Sequence, residues 1–107
     1  MTAEQKIALY NIASFYGCRS QEEKAVEELA ELIQAIQKKR EKGLNRSTKK
    51  SLIDELADVS IMVEQLKYLY KCEGKVKKRI KYKIKRQKKR MKKAEPVGYL
   101  IPVKSMK

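Results

Sequence analysis

The sequence predicts an all-α protein: an antiparallel helical bundle of about four helices, oligomerising through helix faces, with an extended C-terminal tail. Two observations predict this fold class. Four successive segments carry apolar residues at helical spacing, and three of the four glycines separate these segments, whereas both prolines lie beyond residue 95. A chain of 107 residues has room for only a modest core, so contacts between copies are expected to add stability.

Glycines and capping residues delimit the predicted helices. Gly17 is expected to end the first helix in a left-handed conformation, and Ser20 is expected to cap the second. Gly43 follows the second helix, and Gly74 marks the predicted end of the third. The four helices are predicted at about residues 3–16, 21–42, 49–72 and 75–93.

Charge divides the chain into two parts. Residues 1–73 carry 12 basic and 12 acidic side chains, whereas residues 74–107 carry 15 basic side chains and one acidic one, so the net charge of +14 belongs to the last third. We predict one helical domain over residues 1–93, with a strongly basic last helix at 74–93. Alternating apolar residues within 94–107 predict an extended tail.

Several classes of chemistry are excluded by composition. The chain has no histidine, which excludes histidine general bases, serine–histidine catalysis and histidine-containing zinc sites. Cys18 and Cys72 form no Cys-x-x-Cys pair and are expected to be reduced, small buried thiols. No apolar run approaches the roughly 18 residues of a membrane span, so a cytoplasmic protein without membrane contact is expected.

Two acidic clusters, Glu27-Glu28-x-x-Glu31 and Glu55-x-x-Asp58, lie in the second and third predicted helices. Residues three apart share a helix face, so on antiparallel neighbours the two clusters can bring four carboxylates together. Such a group is stable only with cations between the carboxylates, and oxygen ligands suit Mg²⁺ or Mn²⁺. The alternative is a set of ordinary solvated acids.

The second helix by itself favours solvated acids. Glu27 and Glu31 lie opposite its predicted buried face, and Glu28 lies at the margin. That face is centred on four apolar residues, Val26, Leu29, Ala30 and Ile33.

The third helix favours functional acids. Its predicted apolar stripe contains Leu52, Leu56, Val59, Val63, Leu66 and Tyr70, widened by Met62 and Leu69. Glu55 falls within this face and Asp58 at its edge, and a carboxylate among apolar side chains costs several kcal/mol unless it is paired or metal-bound. A structural ion pair with the last helix is the alternative. One small bundle cannot cover so wide a stripe, which predicts a homodimer or homotetramer.

The acidic clusters and their surroundings resemble the MazG family of all-α nucleoside triphosphate pyrophosphohydrolases. The residues that carry the resemblance are Tyr16-Gly17, Gln21, Glu27-Glu28-Leu29-Ala30-Glu31-Leu32 and Leu52-Ile53-Asp54-Glu55-Leu56-Ala57-Asp58-Val59. The family signature is E-E-x-x-E, a spacer and then E-x-x-D, and the spacer here has 23 residues.

The resemblance implies Mg²⁺-dependent hydrolysis of a (deoxy)nucleoside triphosphate to the monophosphate and pyrophosphate. It implies that Glu28, Glu31, Glu55 and Asp58 hold the cation, with Glu27 as a further acid. One of Glu27, Glu28 and Glu31 would accept the proton from water, which suits a chain without histidine.

The resemblance also implies contacts with the rest of the nucleotide. It places the first helix, and with it Tyr16, near the nucleoside. Lys83 and Arg86 are similar to a Lys-x-x-Arg pair on the last helix of short family members, and a guanidinium can donate two hydrogen bonds to a phosphate. These two residues are the predicted phosphate-binding pair.

The basic last helix supports an alternative function. Thirteen of residues 75–93 are Lys or Arg, which is typical of surfaces that bind nucleic acid. The chain would then be a small helical nucleic-acid-binding protein without enzymatic activity, and its acidic helices would be scaffold. No recognition motif is present, so binding would be directed at the phosphate backbone. A helical protein with a purely structural role is the third interpretation.

Overall fold

The computed structural model describes residues 1–94, which form four helices. These are α1 (Ala3–Tyr16), α2 (Cys18–Lys42), α3 (Arg46–Leu69) and α4 (Glu73–Met91). The described residues contain no strand, which confirms the all-α class. The predicted tail at Val97–Val103 lies outside the described residues.

The chain divides into two compact units, Met1–Glu73 and Gly74–Lys107. The first unit holds α1, α2 and α3, and the second holds nearly all of α4. Within the described residues no helix is both long enough and apolar enough to cross a membrane.

The turn between α1 and α2 is a single residue, Gly17. Its φ of 89° is positive as predicted, but its ψ of 165° is extended, so the predicted left-handed helical conformation is wrong. This backbone region is essentially restricted to glycine. Because Gly17 completes the turn alone, α2 begins at Cys18, and Ser20 lies inside the helix instead of capping it as predicted.

The boundaries of α3 also differ from those predicted. The helix begins earlier because Asn45 and Thr48 form a reciprocal cap, in which each side chain accepts a hydrogen bond from the other residue's backbone N–H. It ends at Leu69, and Lys71, which follows the helix, has a positive φ of 53°. Gly74 therefore lies in the first turn of α4 and does not end α3, which corrects the prediction.

Helices α2 and α3 form an antiparallel pair. Gln21 of α2 bonds to Gln65 of α3, whereas the later Glu31 lies beside the earlier Glu55. The order of partners is thus reversed along the two helices. This pairing is the most extensive between helices of the first unit. It brings the two acidic clusters to the same height along the helix pair.

Helix α1 packs mainly on α3 through aromatic and polar contacts. The rings of Tyr10 and Tyr68 stack with their centroids 4.4 Å apart, and the Ser14 hydroxyl lies 2.9 Å from the Tyr68 hydroxyl. Lys6 and Tyr10 both hydrogen bond to Glu73 at the end of the first unit. These contacts set α1 alongside the α3 surface.

The α2 face that the apolar spacing predicts as buried is exposed. Val26 is 69% exposed and Ile33 is 61% exposed, whereas Ala25, Glu28 and Ala35 are buried. The prediction for α2 was therefore wrong. Small residues let α2 approach α3 closely, so the helix turns its alanine-containing face inward and leaves the larger apolar residues outside.

The α3 prediction is confirmed in part. Met62 is buried and Glu55 is half-buried on the same face, as expected. Leu56, Val63 and Tyr70 were predicted in the same stripe but are exposed. Among the described residues, the buried apolar core consists of Ala13, Ala25, Ala35 and Met62.

The two cysteines do not both match their expected environment. Both are free thiols, and Cys72 is half-buried, but Cys18 is exposed. Cys18 is the first residue of α2, directly after the Gly17 turn. The prediction of two buried thiols is wrong for Cys18.

Candidate metal centre

Three acidic side chains from α2 and α3 converge on one point of the first unit. Glu28 and Glu31 come from one helix and Glu55 from the other, and one oxygen of each lies within 4.8 Å of the others. The i, i+3 spacing on α2 and the antiparallel α3 produce this meeting. The structure therefore brings together three of the four predicted metal ligands.

Asp58 lies beside this cluster, close to Glu28. Its carboxylate approaches that of Glu28 closely enough to raise the pKa of Glu28. It is half-buried one turn after Glu55 on the same face of α3. We call Glu28, Glu31, Glu55 and Asp58 the acidic cluster below.

Burial distinguishes this cluster from solvated acids. Glu28 is only 7% exposed, and the described residues offer no hydrogen-bond partner to Glu28 Oε2 or Glu55 Oε2, both of which are buried. Carboxylate oxygens in such positions ordinarily accept hydrogen bonds or bind cations.

Neighbouring carboxylates add to the effect of burial on the pKa of Glu28 and of Glu55. Burial, and then the neighbouring Asp58 and Glu31 carboxylates, raises the pKa of Glu28, and Lys24 partly opposes this. Burial, and then Glu31, Glu28 and Asp58, raises the pKa of Glu55. Both carboxyls thus lie where negative charge is unfavourable without a cation.

The donor set fits a hard divalent cation. The oxygens of Glu28, Glu31 and Glu55 are mutually close, and two of these residues have a buried oxygen that no group in the described part of the chain satisfies. Carboxylate oxygens suit Mg²⁺ and Mn²⁺ better than softer metals. The residues present can therefore hold the cation that the acidic spacing predicts.

An open groove gives access to the acidic cluster. Glu31 and Glu55 line a cavity of about 480 Å³ together with Gln34, Lys38 and Ser51. Lys38 thereby supplies a cation beside the two acids. The groove leaves room for an anionic group near the carboxylates.

A second, more apolar cleft adjoins the cluster through Lys24. The Lys24 ammonium lies 3.6 Å from Glu28 Oε1, and Lys24 also lines this cleft of about 400 Å³. Tyr16, the predicted nucleoside-binding residue, lines it too and is 60% exposed. The cleft wall consists of Leu9, Ile12, Tyr16, Ser20, Gln21, Lys24, Ile61, Met62 and Gln65.

The remaining predicted site residues are not part of the three-acid group. Glu27 is exposed on α2, outside the three-acid group, although it neighbours Glu28 in sequence. Lys83 and Arg86 lie on α4 in the second unit, one turn apart. Their role at a phosphate stays a prediction.

Sequence reasoning missed Lys24, Lys38 and Gln65. The i, i+4 spacing of Lys24 to Glu28 was available as a signal for an ion pair. Lys38 is one of several basic residues near the end of α2, so nothing in the sequence singles it out. Gln65 is 1% exposed and joins Gln21 to the Leu9 carbonyl, a position that apolar spacing cannot reveal.

Comparison with known proteins identifies no relative. No protein-family model, no curated protein and no solved structure matches the chain. The fold and the site define an all-α protein with a candidate centre for a divalent cation between two antiparallel helices.

Proposed function

We propose that this chain is a MazG-like hydrolase that converts a (deoxy)nucleoside triphosphate to the monophosphate and pyrophosphate with Mg²⁺ or Mn²⁺. One observation carries the proposal: Glu28, Glu31 and Glu55 converge, and two of them have buried oxygens without a partner among residues 1–94. These acids occupy the positions that the E-E-x-x-E and E-x-x-D spacing implies. Solvated helix faces do not account for buried carboxylates.

Within this proposal the acidic cluster holds the cation. When bound, Mg²⁺ or Mn²⁺ offsets the charge of the triphosphate and polarises its phosphoryl oxygens. The carboxylates of Glu28, Glu31, Glu55 and Asp58 orient the cation beside the substrate.

The proton from water goes to a carboxylate of α2. The candidates are Glu27, Glu28 and Glu31, of which Glu28 and Glu31 also belong to the group that would hold the cation. Glu27 is exposed, so its carboxylate is less shielded from bulk water than those of Glu28 and Glu31.

The two cavities support a nucleotide as the substrate. The groove beside Glu31 and Glu55 contains Lys38, whose charge suits the phosphates. The apolar cleft that contains Tyr16 suits a nucleoside, and Lys24 links that cleft to Glu28. A polar and an apolar cavity beside one acidic cluster match the two halves of a nucleotide.

Pyrophosphate release tests the proposal. The full-length protein is incubated with each ribo- and deoxyribonucleoside triphosphate and Mg²⁺, beside Glu55→Gln and the matched control Asp54→Asn. Asp54 neighbours Glu55 but is exposed. We expect Glu55→Gln to lower the rate by more than about 100-fold and Asp54→Asn to leave it unchanged. The proposal fails if no nucleotide releases pyrophosphate, or if Glu55→Gln retains the wild-type rate.

A further inference from the structure

Helix α4 carries far more positive charge than the predicted phosphate-binding pair, Lys83 and Arg86, supplies. Eleven of its 19 residues are Lys or Arg, and its one acidic residue, Glu73, is the first. Basic residues recur three and four positions apart, as in Arg79, Lys83 and Arg86, and like charges at this spacing repel. Within the described residues none of its basic side chains forms an ion pair. A polyanion would relieve this repulsion.

The charge is spread over most of the helix circumference. At about 100° per residue, the basic side chains of α4 cover an arc of roughly 240°. The apolar residues Val76, Ile80, Ile84 and Met91 form a stripe of roughly 80° on the other side. The stripe contains no Trp, Phe or Leu.

An aromatic side chain lies within the basic arc. Tyr82 is 52% exposed, and the guanidinium carbons of Arg79 and Arg86 lie 4.9 Å and 5.7 Å from the centre of its ring. The Tyr82 ring and the two guanidinium groups are all planar, and they lie together within the basic arc. Such groups stack with unpaired bases, while the surrounding cations contact phosphates.

We propose that α4 binds single-stranded nucleic acid without sequence preference, through phosphate contacts along the basic arc and base stacking at Tyr82. Helices that bind a membrane surface carry their aromatic residues on a broad apolar face. In α4 the aromatic residue is on the charged side and the apolar stripe is narrow, so nucleic acid is the favoured polyanion. This binding does not depend on hydrolysis at the acidic cluster.

Salt dependence gives the first measurement. The helix has about five turns, and each turn presents at least one cation, which corresponds to about five phosphates. Single strands release about 0.7 counterions per phosphate, so affinity should fall roughly 100-fold between 50 and 200 mM salt. Fluorescence anisotropy of the full-length protein with a random single-stranded oligonucleotide measures this fall. Binding to the matching duplex and binding to phosphatidylserine vesicles are measured for comparison.

Two variants test the assignment to α4. We expect Tyr82→Leu to weaken single-strand binding about tenfold and to leave duplex binding unchanged. The triple variant Lys78→Gln, Lys85→Gln and Lys89→Gln should weaken binding about tenfold or more.

The matched control removes the same charge elsewhere, as Lys39→Gln, Arg40→Gln and Lys42→Gln near the end of α2, and circular dichroism verifies the helix content of every variant. This control should bind within about twofold of wild type. The proposal is overturned if both triple variants weaken binding equally, if duplex binds as tightly as single strand, or if only the vesicles bind. Glu55→Gln should bind nucleic acid like wild type, so failure of the hydrolase and failure of this surface are distinguishable.

Discussion

Glu55 has one buried oxygen without a hydrogen-bond partner among the described residues, beside two further acids. Burial and the neighbouring carboxylates raise its pKa, so its charge destabilises the chain when no cation is bound. A residue selected for folding alone would be an amide or an apolar side chain. Its unfavourable position is the residue-scale argument for a binding role.

Replacing Glu55 should therefore separate stability from cation binding. Without divalent cations, we expect Glu55→Gln to raise the midpoint of thermal unfolding by several degrees, because one of the repelling charges is removed. Added Mg²⁺ should raise the midpoint of wild type and have less effect on Glu55→Gln. Differential scanning calorimetry with Asp54→Asn as the control measures both effects. A Glu55→Gln variant less stable than wild type without cations would contradict this account.

Gln65 shows how a polar residue holds the packed helices together. Its side chain accepts a hydrogen bond of 2.8 Å from the Gln21 amide and donates one of 3.1 Å to the Leu9 carbonyl. One residue thus links α1, α2 and α3. Because it is buried, loss of these bonds leaves polar partners unsatisfied.

A double-mutant cycle tests this link. We expect Gln65→Met to lower the free energy of unfolding by about 1–3 kcal/mol, because Gln21 and the Leu9 carbonyl lose a buried partner. Adding Gln21→Met should cost less than the sum of the two single changes. Urea denaturation of the four proteins measures the coupling, and strictly additive losses would show that the two amides do not interact.

At the scale of the elements, an ion-pair group joins α1 to α3. The side chain of Glu64 is 13% exposed, and it pairs with Lys67 of its own helix and with Lys6 of α1, whose ammonium lies 3.8 Å away. The hydrogen bond from Lys67 is the largest factor that lowers the pKa of Glu64, and burial opposes it. The ionised carboxylate is therefore the form that stabilises the fold.

This pKa shift predicts a pH dependence with a definite sign. Because the folded-state pKa of Glu64 is lowered, its contribution is complete above its ordinary pKa of 4.5 and is lost as pH falls through the folded value. We expect Glu64→Gln to cost about 1 kcal/mol near pH 7 and nothing at lower pH.

Urea unfolding at several pH values, with the exposed Glu41→Gln as control, follows this loss. A deficit in Glu64→Gln that persists below the folded-state pKa would contradict the assignment. Glu41→Gln should show no comparable pH-dependent deficit.

At the scale of the whole molecule, many large apolar side chains of the described residues are exposed. Val26, Leu29 and Ile33 share one face of α2 and are 69%, 45% and 61% exposed. The buried apolar residues of the described chain are three alanines and one methionine. We therefore propose that the protein is a homodimer or homotetramer, as the wide apolar stripe of the third helix predicts.

Charge on this face should weaken the association. We expect Ile33→Glu to raise the dissociation constant at least about tenfold, because an isoleucine that becomes buried on association contributes roughly 1.5–3 kcal/mol. Asn11→Asp, at an exposed position on α1 and not on this face, adds the same charge as a control. Sedimentation equilibrium measures the mass of each variant. Association that is unchanged in Ile33→Glu would exclude this face as the interface.

The sequence by itself determined the helix class, both ends of α1, the end of α2 and the two acidic clusters, because these depend on local spacing and capping. It also placed Glu55 within a packed face, since Met62 and its neighbours lie on that side of α3. Which face of α2 turns inward was decided by the tertiary structure. Small residues at Ala25 and Ala35 allow close approach to α3, and that approach buries Glu28 while it leaves Ile33 exposed. Spacing records where apolar residues lie on a helix, whereas packing against a neighbour decides which of them are covered.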